Sequence, residues 1–358
     1  MDKRTLRVLE YDKIIEMLAA YAVSEGGRER ILAIGPQNRR EGVKRLLSET
    51  GEAEWIVIRN GRSPIDRFRD PKEAAGRAEI GAILGPEELL QVASFLKAVI
   101  HARSEIRSLD GTEGAPKLAA DILALVEHKS LYQDILRCID IDGNVTDEAS
   151  AALSRIRRAI QRAHQKVRET LQKMISSTAY QKYLQEPIVT QRNDRYVLPV
   201  KQEHKNDIKG MIHDRSATGA TLFVEPASVV DLNNQIRQLG FEEQEEIQRI
   251  LAVLSNGVAE AVDSIRNGYT VMVGMDVIFA RARFGRHLRA VRPEIADTPS
   301  LHIEKGRHPL IQPDQVVPVT LTVGQGFHQL VVTGPNTGGK TVSLKMAGLF
   351  ALMAQSGL

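Results

Sequence analysis

Near its C-terminal end the chain carries a strand–loop–helix sequence that few folds can host. Leu330-Val331-Val332-Thr333 is a β-branched run, and Gly334-Pro335-Asn336-Thr337-Gly338-Gly339-Lys340-Thr341 follows it with the spacing G-x-x-x-x-G-K-T. Val342-Ser343-Leu344-Lys345-Met346-Ala347 then opens an apolar helix. That spacing, set between a strand and a helix, is the arrangement in which a glycine-rich loop cradles phosphates. The glycines let backbone N–H groups turn inward, and the helix presents its positive end to the anion. Lys340 supplies a point charge for the terminal phosphates, and the Thr341 hydroxyl is the expected Mg²⁺ ligand. A chance glycine-rich turn would explain the loop alone, but not the agreement of run, spacing, Lys-Thr pair and helix. The residues from Gly334 to Thr341 are therefore expected to hold a nucleoside triphosphate.

Only 17 residues follow Thr341. A working domain of this kind needs further parallel strands, one of them ending in a carboxylate that holds Mg²⁺. The expectation is that the chain is the front part of a longer protein, stopped inside its ATPase domain. The helix expected over Thr341–Ala354 is apolar nearly all round, which predicts cover on most of its sides.

Composition narrows the rest. The chain has 358 residues, enough for two or three domains. Aromatic residues at 4% and charged residues at 26% point to helix-rich architecture. A net charge of +3 does not by itself indicate a nucleic-acid partner, so the distribution of charge must decide. Cys138 is the single cysteine, which excludes an internal disulfide and suits a reducing compartment. No signal peptide or membrane-length apolar run is evident, so a cytoplasmic location without a membrane partner is expected.

From Thr5 to about Ile139, short amphipathic helices alternate with turns. Pro86-Glu87-Glu88 is a helix start, with proline and acids in the first turn. His101 and His128 are isolated from other ligating residues, and a structural core is expected here. Asp140-Ile141-Asp142-Gly143-Asn144 has the letters of a calcium loop, but positions six and twelve are Val145 and Ala151, so a turn is predicted.

Two long helical patterns follow. Leu153, Ile156, Ile160, Ala163, Val167 and Leu171 recur at three- and four-residue spacing over about 148–185, predicting a helix of roughly 55 Å. A similar pattern covers about 227–267. Between them, Ile188–Thr190, Tyr196–Val200, Gly210–His213 and Thr221–Val224 read as short strands. An antiparallel coiled-coil arm with a small β tip is the expected architecture. The first helix is basic (Arg155, Arg157, Arg158, Arg162, Lys166, Lys173) and the second acidic (Glu242, Glu243, Glu245, Glu246). The basic helix could be a phosphate-binding face; the simpler reading is that the two helices neutralise each other along their flanks. A further helix is expected from Met272 to Ala290, and strands over Leu301–Ile303 and Val316–Val323.

Taken together, these residues resemble the MutS superfamily of ATPases. Pro335-Asn336 after the first glycine is similar to that superfamily's Walker A, and Arg307-His308-Pro309-Leu310 resembles its entry into the ATPase domain. Ile139–Asn144 leading into Arg155-Ile156-Arg157-Arg158, and His213-Asp214-Arg215-Ser216-Ala217-Thr218-Gly219-Ala220-Thr221-Leu222-Phe223-Val224-Glu225-Pro226, resemble the bacterial MutS-two branch.

The resemblance implies a mainly α chain: a helical core over 1–139, a lever and clamp arm over 140–270, a helical return over 271–299, and an incomplete P-loop α/β domain of ABC type over 300–358. Within the arm it expects a helix over 148–185, a β tip over 187–226 and a helix over 227–267. It implies ATP and Mg²⁺ as cofactors, with Gly334, Pro335, Asn336, Thr337, Gly338, Gly339, Lys340 and Thr341 at the phosphates and Val316 and Val317 as candidate adenine contacts. It implies a homodimer that binds branched or mismatched DNA and suppresses homologous recombination, or that senses and splits collided ribosomes through rRNA. It places nuclease activity in a C-terminal Smr domain beyond these residues, and likewise expects the ATPase domain's Mg²⁺-holding aspartate and partner-facing signature outside them. Whether the chain is itself an enzyme is left open, and no catalytic residue is assigned to it. The alternatives are a non-catalytic clamp and a protein-interaction lever without ATP turnover. Phe223-Val224-Glu225 and Phe241-Glu242-Glu243 match the letters of a mismatch-reading wedge, but neither sits in the leading domain that such a wedge requires.

Overall fold

In the computed structural model of the chain, helix accounts for 58% and strand for 10%; residues 2–324, 326–333 and 339–358 are described. In chain order the helices are α1 (Lys3–Val8), α2 (Tyr11–Ala19), α3 (Glu25–Leu32), α4 (Arg40–Asn60), α5 (Lys72–Glu79), α6 (Pro86–Arg107), α7 (Pro116–Leu123), α8 (Lys129–Cys138), α9 (Ala151–Ser176) and α10 (Thr178–Gln181). Strands β1 (Thr190–Arg192), β2 (Arg195–Lys201), β3 (Gly210–Arg215) and β4 (Thr221–Pro226) come next. Then follow α11 (Ala227–Glu260), α12 (Val262–Leu288), β5 (Leu301–Gly306), β6 (Val319–Val323) and α13 (Lys340–Gln355). The chain divides into two compact units, one of residues 1–80, 88–132 and 258–358, the other of residues 81–87 and 133–257.

The first unit is built around α12, whose side chains are buried through most of its length, from Val262 to Phe284. Ile14, Ile15 and Leu18, on one face of α2, pack with Val277, Ala280 and Phe284 of α12 and with Leu349, Leu352 and Met353 of α13. Each of these side chains other than Ala280 contributes roughly 1.5–3 kcal/mol through removal of apolar surface from water. One fully buried carboxylate interrupts this apolar helix. Asp276 accepts hydrogen bonds from the Val23 amide (3.0 Å), the Ser24 amide (2.8 Å) and the Ser24 hydroxyl (2.6 Å), and Arg283 lies 3.3 Å away. Ser24 in turn caps α3 by accepting from the Gly27 amide at 3.0 Å. A charge buried in α12 thus fixes the start of another helix.

The boundary expected near residue 268 falls instead at Ala261, and α12 runs unbroken through Asn267-Gly268. Local propensity argues for a break there, but packing overrides it: a Cβ on Gly268 would lie 3.3 Å from the Phe95 ring. Glycine lets the Phe95 ring approach closely here. Cys138 is buried, and burial pushes its thiol up.

In the second unit the strands form one antiparallel sheet in the order β1-β2-β4-β3. Asn193 and Asp194, both at positive φ, make the two-residue turn between β1 and β2, as a hairpin of right-handed twist demands. Val167, Leu171 and Ile175 of α9 pack on Leu198, Val200, Leu222 and Val224 of the sheet, together with Val229 of α11. Asp140 closes the predicted turn, accepting from the Asp142 amide at 3.0 Å and the Asn144 amide at 2.8 Å.

The first long helix is shorter than expected. Ser150 caps it through the Leu153 amide, and Ser177, extended at φ −80° and ψ 126°, ends it. Hydroxyl side chains at 176–178 compete for backbone groups and favour such a stop. Twenty-six residues span about 39 Å, against about 51 Å for the 34 of α11. Contacts between the two helices run in opposite chain directions: Ser150 with Glu246, Arg157 with Glu243, and Met174 with Ser228.

Flank neutralisation, the simpler sequence reading, does not hold. Arg157–Glu243 at 2.7 Å is the one ion pair between α9 and α11 among the described residues. The reason is geometric: Arg157 borders the buried face, whereas Arg155, Arg158, Arg162, Lys166 and Lys173 point away from it and are exposed.

In the first unit, β5 and β6 pair antiparallel, Leu301 opposite Val323. The strand expected from Val316 begins only at Val319, because Pro318 has no N–H for a ladder and Val317 before it is held out of line. The β-branched run Leu330–Thr333 is not a strand either. Its residues are exposed, and no described strand lies beside them to complete a ladder. No described helix is long and apolar enough to cross a membrane.

Candidate functional site

The candidate phosphate site lies at the start of α13. Gly334, Pro335, Asn336, Thr337 and Gly338 fall outside the described residues; Gly339, Lys340 and Thr341 fall within them. Gly339 is the N-cap of α13 at φ 78°, a left-handed conformation that a β-carbon would strain, and the space where that carbon would sit is empty to 4 Å. It brings no side chain to cap the helix, while its carbonyl accepts from the Ser343 amide at 2.9 Å. Lys340 is half-buried and Thr341 exposed, both in the first helical turn. A helix start without a side-chain cap, a glycine open on its outer side, a lysine and a hydroxyl are the groups a polyphosphate–Mg²⁺ pair uses. The described residues fit that ligand.

Packing makes this helix a rigid mount. Met346, Leu349, Leu352 and Met353 are buried, a Cβ on Gly348 would press within 3.0 Å of the Leu9 side chain, and the Tyr11 hydroxyl lies 2.6 Å from Ser356 Oγ. Lys345 pairs with Glu10 at 3.1 Å; Lys13 and Lys345 together hold the Glu10 carboxyl below the ordinary carboxylate range. The cover is one-sided, unlike the expectation: Val342 and Leu344 are exposed. Val317, a candidate adenine contact, is also exposed, at 77%, and Val316 is half-buried; neither is in a strand.

The Arg307–Leu310 segment earns its place through burial. Leu310 packs against the α2–α12–α13 core, and His308 is 5% exposed. Burial pushes the His308 imidazole below its ordinary 6.5, and the same holds for His128 and His164. An unfolded chain therefore binds more protons than the folded one just below that value, so stability falls as pH drops through it. Thermal unfolding should occur at lower temperature at about pH 5.5 than at about pH 7.5, with a smaller difference in His308→Gln. A profile identical for both proteins would show that His308 carries none of it.

A second polar centre, in the other unit, was not anticipated from sequence. Glu225 on β4 is 0% exposed. Arg195 of β2 reaches it with bonds of 2.9 and 3.0 Å, Asn233 of α11 donates at 2.7 Å, and the His213 ring of β3 touches its other oxygen. The register slips between Ile212 and Asp214, so His213 sits at a bulge that aims its ring at Glu225. The signal was available: a carboxylate stands between Val224 and Pro226, both buried, next to a sheet with one arginine in its central strand.

Over all 358 residues, the chain is 44% identical to endonuclease MutS2 of Ruminiclostridium cellulolyticum and 45% identical to that of Pelotomaculum thermopropionicum. Over 359 aligned residues it is 42% identical to endonuclease MutS2 of Acetivibrio thermocellus. The chain belongs to the MutS2 family. It spans about 45% of the length of these curated relatives, while they match 100% of it. No protein-family model matches the chain. Both polar centres, the α13 start and the Glu225 cluster, therefore lie in sequence that aligns with MutS2 proteins from end to end.

Proposed function

We propose that this chain is the ATP-binding and nucleic-acid-embracing part of a MutS2 protein. The observation that supports it is the uncapped, glycine-led start of α13, with Lys340 and Thr341 in its first turn and the rest of the helix anchored in a buried core. Gly334, Pro335, Asn336, Thr337, Gly338 and Gly339 would surround the phosphates, Lys340 would neutralise the terminal ones, and Thr341 would hold Mg²⁺. Val316 and Val317 are proposed at the adenine. When bound, the nucleotide supplies a phosphoanhydride whose cleavage can be coupled to a change in shape. The residues of this chain would bind and orient its phosphates, and α13, fixed to α2 and α12, would pass any displacement into the core. Homodimerisation is part of the proposal, as are lever and clamp roles for the 133–257 unit on DNA or on ribosomal RNA in the cytoplasm.

Lys340→Ala tests the assignment. ATP·Mg²⁺ binding should weaken at least about tenfold, or about 1.4 kcal/mol, with far-ultraviolet circular dichroism unchanged. Equal affinity in the two proteins would remove Lys340 from the site.

A further inference from the structure

The unneutralised face of α9 has a regularity that helix formation does not explain. Arg155, Arg158, Arg162, Lys166, Glu169 and Lys173 follow one another at steps of three or four residues, so all six lie on one stripe, about 27 Å long. All are exposed, and the stripe lies opposite the buried residues Leu153, Ala163, Val167, Leu171 and Ile175. Five of the six are cations, and none of these five forms an ion pair among the described residues. The Arg158 and Arg162 side chains bond instead to their own helix, at the Ser154 and Arg158 carbonyls. A solvated helix face ordinarily mixes signs. Here Arg158–Arg162 and Arg162–Lys166 are like-charge pairs four residues apart, each costing a few tenths of a kcal/mol.

We infer that this stripe is a contact surface for the phosphate backbone of a nucleic-acid duplex. Its charge is complementary to a polyanion, and its length matches about eight base pairs at 3.4 Å per pair. A phosphate row would relieve the repulsion that the stripe otherwise carries. Duplex is favoured over single strand because α9 has no Phe, Tyr or Trp on which an unpaired base could stack. Arginine and lysine on a straight exposed helix meet phosphates without reaching base edges, so contact here is blind to sequence and to the sugar. The inference rests on the nucleic-acid half of the function proposed above, and it adds the surface and the form of the ligand.

The test uses the whole chain and fluorescently labelled duplexes of about 20 base pairs, as DNA and as RNA, with a single strand of equal length. Binding is followed by anisotropy across a salt series. Arg158→Glu/Arg162→Glu/Lys166→Glu should bind duplex about 100-fold more weakly at about 0.1 M salt, and the slope of log K against log salt should shrink by about 2.5. The corresponding triple glutamine variant, which keeps good helix formers throughout, should lose the same slope. Lys44→Glu/Arg67→Glu/Arg69→Glu, in exposed positions of the other unit, makes an equal change in net charge and should leave the slope alone. DNA and RNA duplexes should bind within about threefold of each other, and more tightly than the single strand. Unchanged binding by the stripe variants, or equal loss in the control, overturns the inference while leaving nucleic-acid binding intact. Single-strand preference overturns it as well. If the unaltered chain binds no duplex at all, the nucleic-acid half of the proposed function fails with it.

Discussion

Replacing Glu225 with alanine is expected to destabilise the 133–257 part of the chain by about 3–5 kcal/mol, the usual cost of removing one partner from a buried ion pair. The carboxylate is completely covered and serves three donors at once, from β2, β3 and α11. Without it, Arg195 keeps a charge that is 15% exposed, and only the Asn234 side chain at 2.7 Å remains as a partner. Asn233 would keep its two bonds with the Tyr196 backbone, so α11 would remain tethered to β2 by these and by Arg195–Asn234. Hydrogen exchange reads this locally: amides of β2 and β4 should lose protection, while those of α12 should not. Glu225→Gln should fall between, because the amide retains one acceptor for Asn233. Unchanged protection in Glu225→Ala would mean that the cluster contributes no net stability.

Asp276→Ala is expected to cost about 3 kcal/mol in the other unit. The loss is not of one bond but of an anchor. Two backbone amides at the start of α3 and the Ser24 hydroxyl lose their acceptor, and Arg283, whose guanidinium burial already pushes down, loses its counter-charge. Trp55, the single tryptophan, lies on α4 of that unit and reports its unfolding. The denaturant midpoint should fall with an unchanged slope. Ser24→Ala should produce a smaller shift, since the amide bonds survive it. Equal midpoints for Asp276→Ala and the unaltered chain would contradict the assigned role.

Much of this architecture is legible in the sequence because it depends on local chemistry. Apolar residues at three- and four-residue spacing give α2, α9 and α11, and short β-branched runs give β2 and β4. Pro86 at a helix start and Gly61 at a helix end act through the backbone alone. What escaped depends on partners distant in the chain. The helix is continuous through Gly268, where it packs against Phe95, more than 160 positions away. The clustering of Arg195, His213, Glu225 and Asn233 requires three strands and a helix to be placed first. The charge on α9 is legible in the sequence, but the choice between its two readings is not: the helical wheel shows which residues share a face, not whether the neighbouring helix can reach them.

The α13 site shows the same division. Lys340, Thr341 and the need for a glycine at 339 are visible in the spacing, since only a residue tolerant of φ 78° fits that turn. The extended run before the loop was expected as a strand and is not one, because a strand exists only through its neighbours. What the fold adds is the anchoring of α13: its Leu349, Leu352 and Met353 pack on α2 and α12, and Ser356 bonds Tyr11, partners that all lie far from it in sequence.

The decisive measurement is equilibrium binding of ATP, ADP and AMP to this chain in the presence of Mg²⁺. If the start of α13 grips the outer phosphates, ATP and ADP should bind at least about tenfold more tightly than AMP, a gap of about 1.4 kcal/mol that disappears in Lys340→Ala. Equal affinity for the three nucleotides, or a preference that survives loss of the lysine, would contradict a phosphate site there.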